Sequence, residues 1–279
     1  VDYVKPTEMF AAMVESGAVR AKLSITDMLV RGMMAGALLG IATSLAITGA
    51  VQTGVAFAGA LIFPVGFAMI VVLGLELVTG NFAFLAVGAF ASRCTWGEAG
   101  RNWLWGFIGN LIGSVLYALL LVITLTNAWH IAPTGVAQRI MDIAVAKTTG
   151  YEPFGAAGLL SAFVKAMLCN WMVCLGVTMA LMSSSTFGKI AGAWLPIFIF
   201  FAQGFEHAVV NMFVIPAGMM LGAKITWGDW WLWNQIPVTL GNFAGGLLFI
   251  AIPWFMTFRT GRLEQPLADN VERALAVGP

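Results

Sequence analysis

The chain has 279 residues, of which 10% are charged and 60% hydrophobic, with a mean hydropathy of +0.89. A soluble domain carries about 25% charged residues, so water is not the main solvent here. A net charge of +1 without a basic stripe excludes nucleic acid as a partner, and Cys94, Cys169 and Cys174 are too few for a disulfide framework.

Along the chain, the first 27 residues are mixed and polar and lack signal-peptide anatomy. They predict an amphipathic helix at about 6–25, with Met9, Phe10, Met13 and Val14 on its apolar side. After Arg31 no Asp, Glu, Lys or Arg occurs until Glu76. Comparable gaps run from Arg101 to Arg139, from Lys165 to Lys189 and from Asp229 to Arg259. Each exceeds the roughly 20 apolar residues that cross a bilayer core. A first span is expected at about 29–48, and ordinary spans at about 103–126, 158–183 and 235–257.

The stretch at about 57–91 is apolar except for Glu76. As one helix it would be about 52 Å long, too long for one crossing, and it is too short for two. A helix interrupted at Gly74-Leu-Glu-Leu-Val-Thr-Gly80 fits better, because irregular backbone in a bilayer must be buried or line a cavity. The same reasoning applies at about 190–223, around Gly204-Phe-Glu-His207. Six crossings result, the second and fifth broken. The segment at 127–157, with His130, is read as a long polar loop forming an outer lip. The expected organisation is one transmembrane domain over 1–279, with a first repeat at 29–126, a second at 158–257 and a tail at 259–279.

The two broken stretches share a pattern. Gly74-x-Glu76-x-x-x-x-Asn81 matches Gly204-x-Glu206-x-x-x-x-Asn211, and Gly109-Asn110-x-x-Gly113 matches Gly241-Asn242-x-x-Gly245, at offsets of 130 and 132. Three spans per repeat is odd, so the halves run in opposite directions, an arrangement that places the substrate path at the repeat interface. Those four paired glycines are read as close helix packing. Ten Lys and Arg fall on the side of the termini and four on the other, which predicts cytoplasmic termini.

Gly204–Phe213 and Ala166–Leu175 resemble the fifth- and fourth-span signatures of the formate/nitrite transporters, and Val72–Gly80 resembles the second. Thr95-Trp-Gly97 and Arg101-Asn-Trp103 follow in family order. The resemblance implies an all-α, aquaporin-like fold of six spans and a homopentamer in the inner membrane, with one pore per protomer. It implies formate, nitrite or hydrosulfide as substrate. On its terms His207 is the pore histidine, Asn170 its hydrogen-bonding partner and Thr79 the pore threonine. Phe63 and Phe67 form an apolar constriction on one side of the histidine and Phe200 on another. The family lysine corresponds to Lys147, which stands 23 residues before Asn170, a longer separation than the family's.

Taken by themselves these residues leave alternatives. An ionisable residue at an intramembrane break usually marks a transport path, which favours a role for His207 over a structural one. Thr79 is either a pore residue or a helix N-cap. Asn170 is either a pore residue or interhelical glue, and the phenylalanines are either gates or core. Glu76 and Glu206 are read as carboxylates capping half-helix N-termini, turned away from substrate, with Asn211 opening the same half-helix. Lys147 and Arg139 either concentrate anions at a vestibule or face solvent, and Lys165 is read as snorkelling. No cofactor or metal is expected, since two distant histidines and three apolar cysteines make no ligand cluster. An enzyme subunit is disfavoured on the same ground. A water or glycerol channel would require paired Asn-Pro-Ala motifs, and only Asn81-Phe-Ala and Asn211-Met-Phe stand near that pattern.

Overall fold

The computed structural model, which describes residues 2–258, is built from ten helices, five of which begin where a capping side chain meets the chain's next helical run. The expected tail at 259–279 lies outside the described residues. Pro6 opens α1 (Pro6–Ala21), whose buried face holds the expected Met9, Phe10, Met13 and Val14 and extends to Gly17 and Ala18. Ser24 caps α2 (Ile25–Thr53) by accepting from the Asp27 N–H. Next come α3 (Ala56–Val72), interrupted at Phe63-Pro64, and α4 (Val78–Phe90). A Thr95–Glu98 capping box starts α5 (Trp96–Leu125).

The polar segment that follows is not the plain loop expected from sequence. It contains α6 (Val136–Lys147), whose buried positions Ala137, Ile140 and Ala144 lie three and four apart and pack on α9. Such a helix is too short and polar to register as a span. The chain continues through α7 (Ala156–Leu181), α8 (Thr186–Ala202), α9 (Ala208–Met220) and α10 (Trp227–Phe258). Two π turns widen α10, at Trp231–Gln235 and Leu247–Ala251. Each precedes a proline, Pro237 and Pro253, that has no N–H for the helical ladder.

Four helices, α2, α5, α7 and α10, are long and apolar enough to cross a membrane, while α3, α4, α8 and α9 are shorter apolar segments. Three of the long ones, α2, α5 and α10, start well before the hydropathy-based boundaries because Ser24, Thr95 and Thr226 cap their first turns. α2 packs on α5 and α7 on α10 through small residues. A Cβ at Gly109 or Gly113 would run into the Leu29 and Met33 backbone, and one at Gly241 or Gly245 into the Phe163 and Met167 carbonyls. The glycines therefore set the helix spacing, as small residues do where apolar lipid gives helices no hydrophobic reason to associate.

The two short pairs are broken where expected. α3 ends at Leu73 with Gly74 at φ +64°, and α8 ends at Gln203 with Gly204 at φ +66°. In both, the N–H after the glycine reaches back to close the helix: Leu75 to the Ile70 carbonyl at 3.0 Å and Phe205 to Phe200 at 3.2 Å. The chain then runs extended into the next helix.

Candidate functional site

The backbone after each break needs new partners, and a pair of buried asparagines supplies them. Asn110 Oδ1 accepts from the Val78 N–H at 2.9 Å while its amide donates to the carbonyls of Gly32 and Glu76. Asn242 repeats this in the other half: its Oδ1 accepts from Ala208 N–H at 2.8 Å and its amide donates to Ala166 and Glu206. The expectation that Glu76 and Glu206 cap the half-helices is therefore corrected. A buried carboxylate needs a cation and several donors more than a helix end needs a charge.

Glu76 takes Arg20, whose Nε lies 3.3 Å away, and accepts from Asn81 at 2.6 Å and Asn102 at 3.3 Å. Glu206 takes Lys147 at 2.8 Å and accepts from Asn211 at 2.8 Å, Asn234 at 3.4 Å and the Tyr151 hydroxyl at 2.8 Å. Asn102 also donates to the Arg20 carbonyl, and Asn234 to the Lys147 carbonyl. The two networks correspond residue for residue except at Tyr151. Lys147 thus faces a specific carboxylate, despite its longer spacing from Asn170.

His207 stands at the last residue of the second break, as the N-cap of α9. Its Nδ1 accepts from the Val210 N–H at 3.2 Å. A neutral imidazole has one acceptor nitrogen, so the proton is assigned to Nε2, which lies 3.1 Å from Thr79 Oγ1. Thr79 is the second residue of α4, behind Leu77 at the N-cap position, and so is not a cap. Its hydroxyl accepts from the imidazole and keeps its own hydrogen free to donate. Both side chains are buried.

Asn170 does not bond the histidine directly, in contrast to the pairing implied by the resemblance. Its amide donates to the Thr79 carbonyl at 3.0 Å and the Asn242 carbonyl at 2.6 Å, while its Oδ1 is buried without a partner. Two carbonyls fix the amide's orientation and draw it onto the α4 backbone. Asn170 and His207 therefore meet on the same threonine from two sides.

The Phe200 ring lies nearly parallel to His207, 5.8 Å between centroids and 19° between planes. It walls a cavity of about 510 Å³ on the α6 side, lined also by His207, Phe201, Arg139 and Lys147. Phe67 walls a smaller cavity of about 110 Å³ on the α1 side, with Leu77, Gly80, Val177, Arg20 and Lys189. Phe63 corrects the expected pairing with Phe67. It lines neither cavity and stacks on Phe201 at 3.9 Å, with Phe200 edge-on at 5.7 Å, because the turn at Pro64 aims it towards α8. Neither cavity is lined by a carboxylate, and each is lined by two cations.

Sequence reasoning missed Arg20, Asn102, Asn234 and Tyr151 as parts of these networks. Asn102 and Asn234 share the offset of 132 already seen in Asn110 and Asn242, a signal that would have found them. Nothing in the sequence pairs Arg20 with Glu76. Lys165 does not merely snorkel: its Nζ lies 3.3 Å from the Tyr151 hydroxyl and over that ring. His130 sits at the surface of a turn, away from both cavities.

The family profile described as "Formate/nitrite transporter" matches residues 7–256. A "Probable formate transporter" of Methanothermobacter thermautotrophicus is 39% identical over 208 residues, 71% of this chain and 73% of that protein. The "Formate channel BtFdhC" of Bacillus thuringiensis is 31% identical over 263 residues, 91% of this chain and 96% of its own. Among solved structures, an "FNT family ion channel" superposes with a TM-score of 0.79 at 27% identity, covering 90% of this chain and 99% of that one. A "Pentameric formate channel with formate bound" gives 0.68 at 26% identity, over 84% and 97%. With its all-helical architecture and its run of apolar helices, this multi-pass membrane protein belongs to the formate/nitrite transporter family.

Proposed function

We propose that the chain is a channel for small monovalent anions, formate first, in which a central histidine exchanges a proton with the substrate. The observation that carries this reading is the His207–Thr79 bond, set between two cavities that are each lined by cations and by no carboxylate. The formate-named relatives and the formate-bound neighbour support formate over nitrite.

An anion drawn into the larger cavity by Arg139 and Lys147 meets the free hydrogen of the Thr79 hydroxyl beside His207. In its resting form the ring is no fixed cation, since Nδ1 is occupied by the Val210 N–H. Imidazolium forms only when Nδ1 exchanges that hydrogen bond for a proton taken from cavity water, a loss offset by an anion alongside. Formate then accepts the proton of Nε2–H, leaving neutral formic acid and an imidazole protonated on Nδ1; passing that proton back through water to Nε2 restores the Val210 hydrogen bond. The neutral acid passes the constriction of Phe67 and Phe200, where a bare anion would lose its hydration with little return. Asn170 Oδ1, an acceptor without a partner, suits an acid hydroxyl in transit. Beyond the constriction the acid gives its proton to water.

On this reading 1–279 is one transmembrane domain of six crossings. The pairs α3–α4 and α8–α9 are the broken second and fifth crossings, and the repeats are inverted. The matching Asn110 and Asn242 networks support that symmetry. The surplus of Lys and Arg supports cytoplasmic termini in an inner membrane, and the formate-bound pentameric neighbour supports a homopentamer. Stopped-flow swelling of proteoliposomes in osmotically matched formate, nitrite and glycerol, with an internal pH dye, tests the reading. Formate entry with coupled acidification of the interior, lost in His207→Phe, is expected. Equal glycerol entry, or unchanged flux and pH response in the variant, would sink it.

A further inference from the structure

Besides the exchange of Arg20 for Lys147, the two buried glutamates differ in the segment that lengthens the chain between Lys147 and Asn170. Tyr151 follows α6, is buried among Ala162, Ala166, Ala208 and Val238, and sends its hydroxyl to Glu206 Oε1 at 2.8 Å. The same hydroxyl oxygen accepts from Lys165 Nζ on α7 at 3.3 Å, and the ammonium sits 5.2 Å from the phenol ring centre. Donor and acceptor roles are thus set along a chain: Lys165 donates to Tyr151, Tyr151 to Glu206, and Lys147 donates to the other Glu206 oxygen. Burial first, and the carboxylate second, push the Tyr151 phenol well above its ordinary range and keep it a donor. No phenol reaches Glu76, whose partners are Arg20, Asn81 and Asn102.

We propose that Tyr151 and Lys165 are positioning residues for anion entry on the α6 side, holding Glu206 back so that the Lys147 cation stays available to the 510 Å³ cavity. The inference rests on the channel reading above. A carboxylate shared between one ammonium and one polarised phenol neutralises each cation less than a carboxylate paired with one cation alone. Lys147, which lines the cavity with His207, therefore keeps donors and charge for an incoming anion. Without the phenol, Glu206 would turn both oxygens to Lys147 and cancel it. The effect is local to one mouth, since the other cavity is lined by Arg20, which pairs with Glu76 and not with Glu206.

The test is formate uptake by the reconstituted full chain in liposomes of defined orientation, with substrate added at the α6 face or the α1 face. Tyr151→Phe keeps the ring and Lys165→Gln changes a half-exposed side chain, so both are expected to fold, Tyr151→Phe with a lowered melting temperature because Glu206 Oε1 loses its donor. Each is expected to raise the apparent KM from the α6 face by about three- to tenfold at unchanged maximal rate; at equal pH on both sides Vmax/KM from the α1 face then falls by the same factor, through its maximal rate and not its KM. Lys165→Arg is expected to restore the wild-type value, and the double variant to be no worse than Tyr151→Phe alone, since both act through one contact. Equal KM shifts at both faces, a fall in the α6-face maximal rate alone, additive effects in the double variant, or variants with an unchanged α6-face KM beside a wild type that conducts would overturn the inference. A wild type that carries no formate would instead overturn the channel reading, and this inference with it.

Discussion

The breaks after α3 and after α8 are built on one plan and differ in what they carry. Both use a left-handed glycine, a buried asparagine that caps the next helix, and a glutamate paired with a cation. At the position before the second half-helix, however, one has Leu77 and the other His207. Two residues on, one has Thr79 and the other Val209, and the two polar side chains meet each other across the pair. Symmetry thus supplies the scaffold that makes a broken backbone tolerable. Chemistry comes from the two places where the halves disagree.

The largest expected effect breaks the shared scaffold. Asn110→Leu and Asn242→Leu each leave one buried N–H and one break carbonyl, that of Glu76 or Glu206, unpaired, at about 1–3 kcal/mol per group. Both are expected to lose folded protein in detergent, to a similar extent, as read by thermal unfolding monitored by size exclusion. A severe loss in one and none in the other would show that the halves are not equivalent.

Next comes the difference itself. Making the second break like the first with His207→Leu is expected to cut formate flux at least about tenfold, a barrier change of roughly 1.4 kcal/mol or more. Leucine fills much of the same buried space but leaves the Val210 N–H without an acceptor, so a loss of about 1–3 kcal/mol of stability accompanies the change. Stopped-flow uptake checks the rate; a variant that conducts normally would place the selectivity elsewhere.

A smaller effect sharpens the equivalence of the turns. Gly74 and Gly204 have positive φ and open space where a Cβ would go, so only backbone strain opposes alanine. Each Ala variant is expected to cost about 1–2 kcal/mol and the two costs to agree. Unequal unfolding midpoints would show that the breaks carry different strain.

The smallest effect concerns the α7–α8 turn on the α1 side. Asp2 accepts from the Ser183 hydroxyl and from the N–H groups of Ser184 and Ser185, bonds that hold its carboxyl far below the ordinary range. A depressed carboxyl stabilises above its unfolded value and loses that contribution as pH falls through the folded one. The strap is therefore expected to hold across neutral and mildly acidic pH and to loosen only in strong acid. Asp2→Asn should loosen it at every pH. Hydrogen exchange at Ser184 and Ser185 reads this out, and loosening between pH 5 and 7 in the wild type would contradict it.

The breaks were legible in sequence because length alone forbids a continuous α3–α4, and because a helix that stops in apolar surroundings requires a glycine. The repeat was legible because equivalent backbone needs call for the same side chains at one offset. The α6 helix was not, since its three buried positions are alanine and isoleucine in a polar stretch. Nor was the partner of either glutamate, because Arg20 lies 56 residues from Glu76 and Lys147 lies 59 from Glu206.

By itself the sequence determined the membrane class, the four long apolar helices, the two interrupted pairs and the candidacy of His207, all consequences of hydropathy, chain length and local backbone geometry. Tertiary structure decided that Thr79, and not Asn170, meets the imidazole, that Phe63 backs Phe200, and that asparagines rather than glutamates cap the half-helices. These depend on which side chains from distant segments reach a buried donor first, and satisfying a buried group is a property of the packed assembly rather than of any stretch of chain.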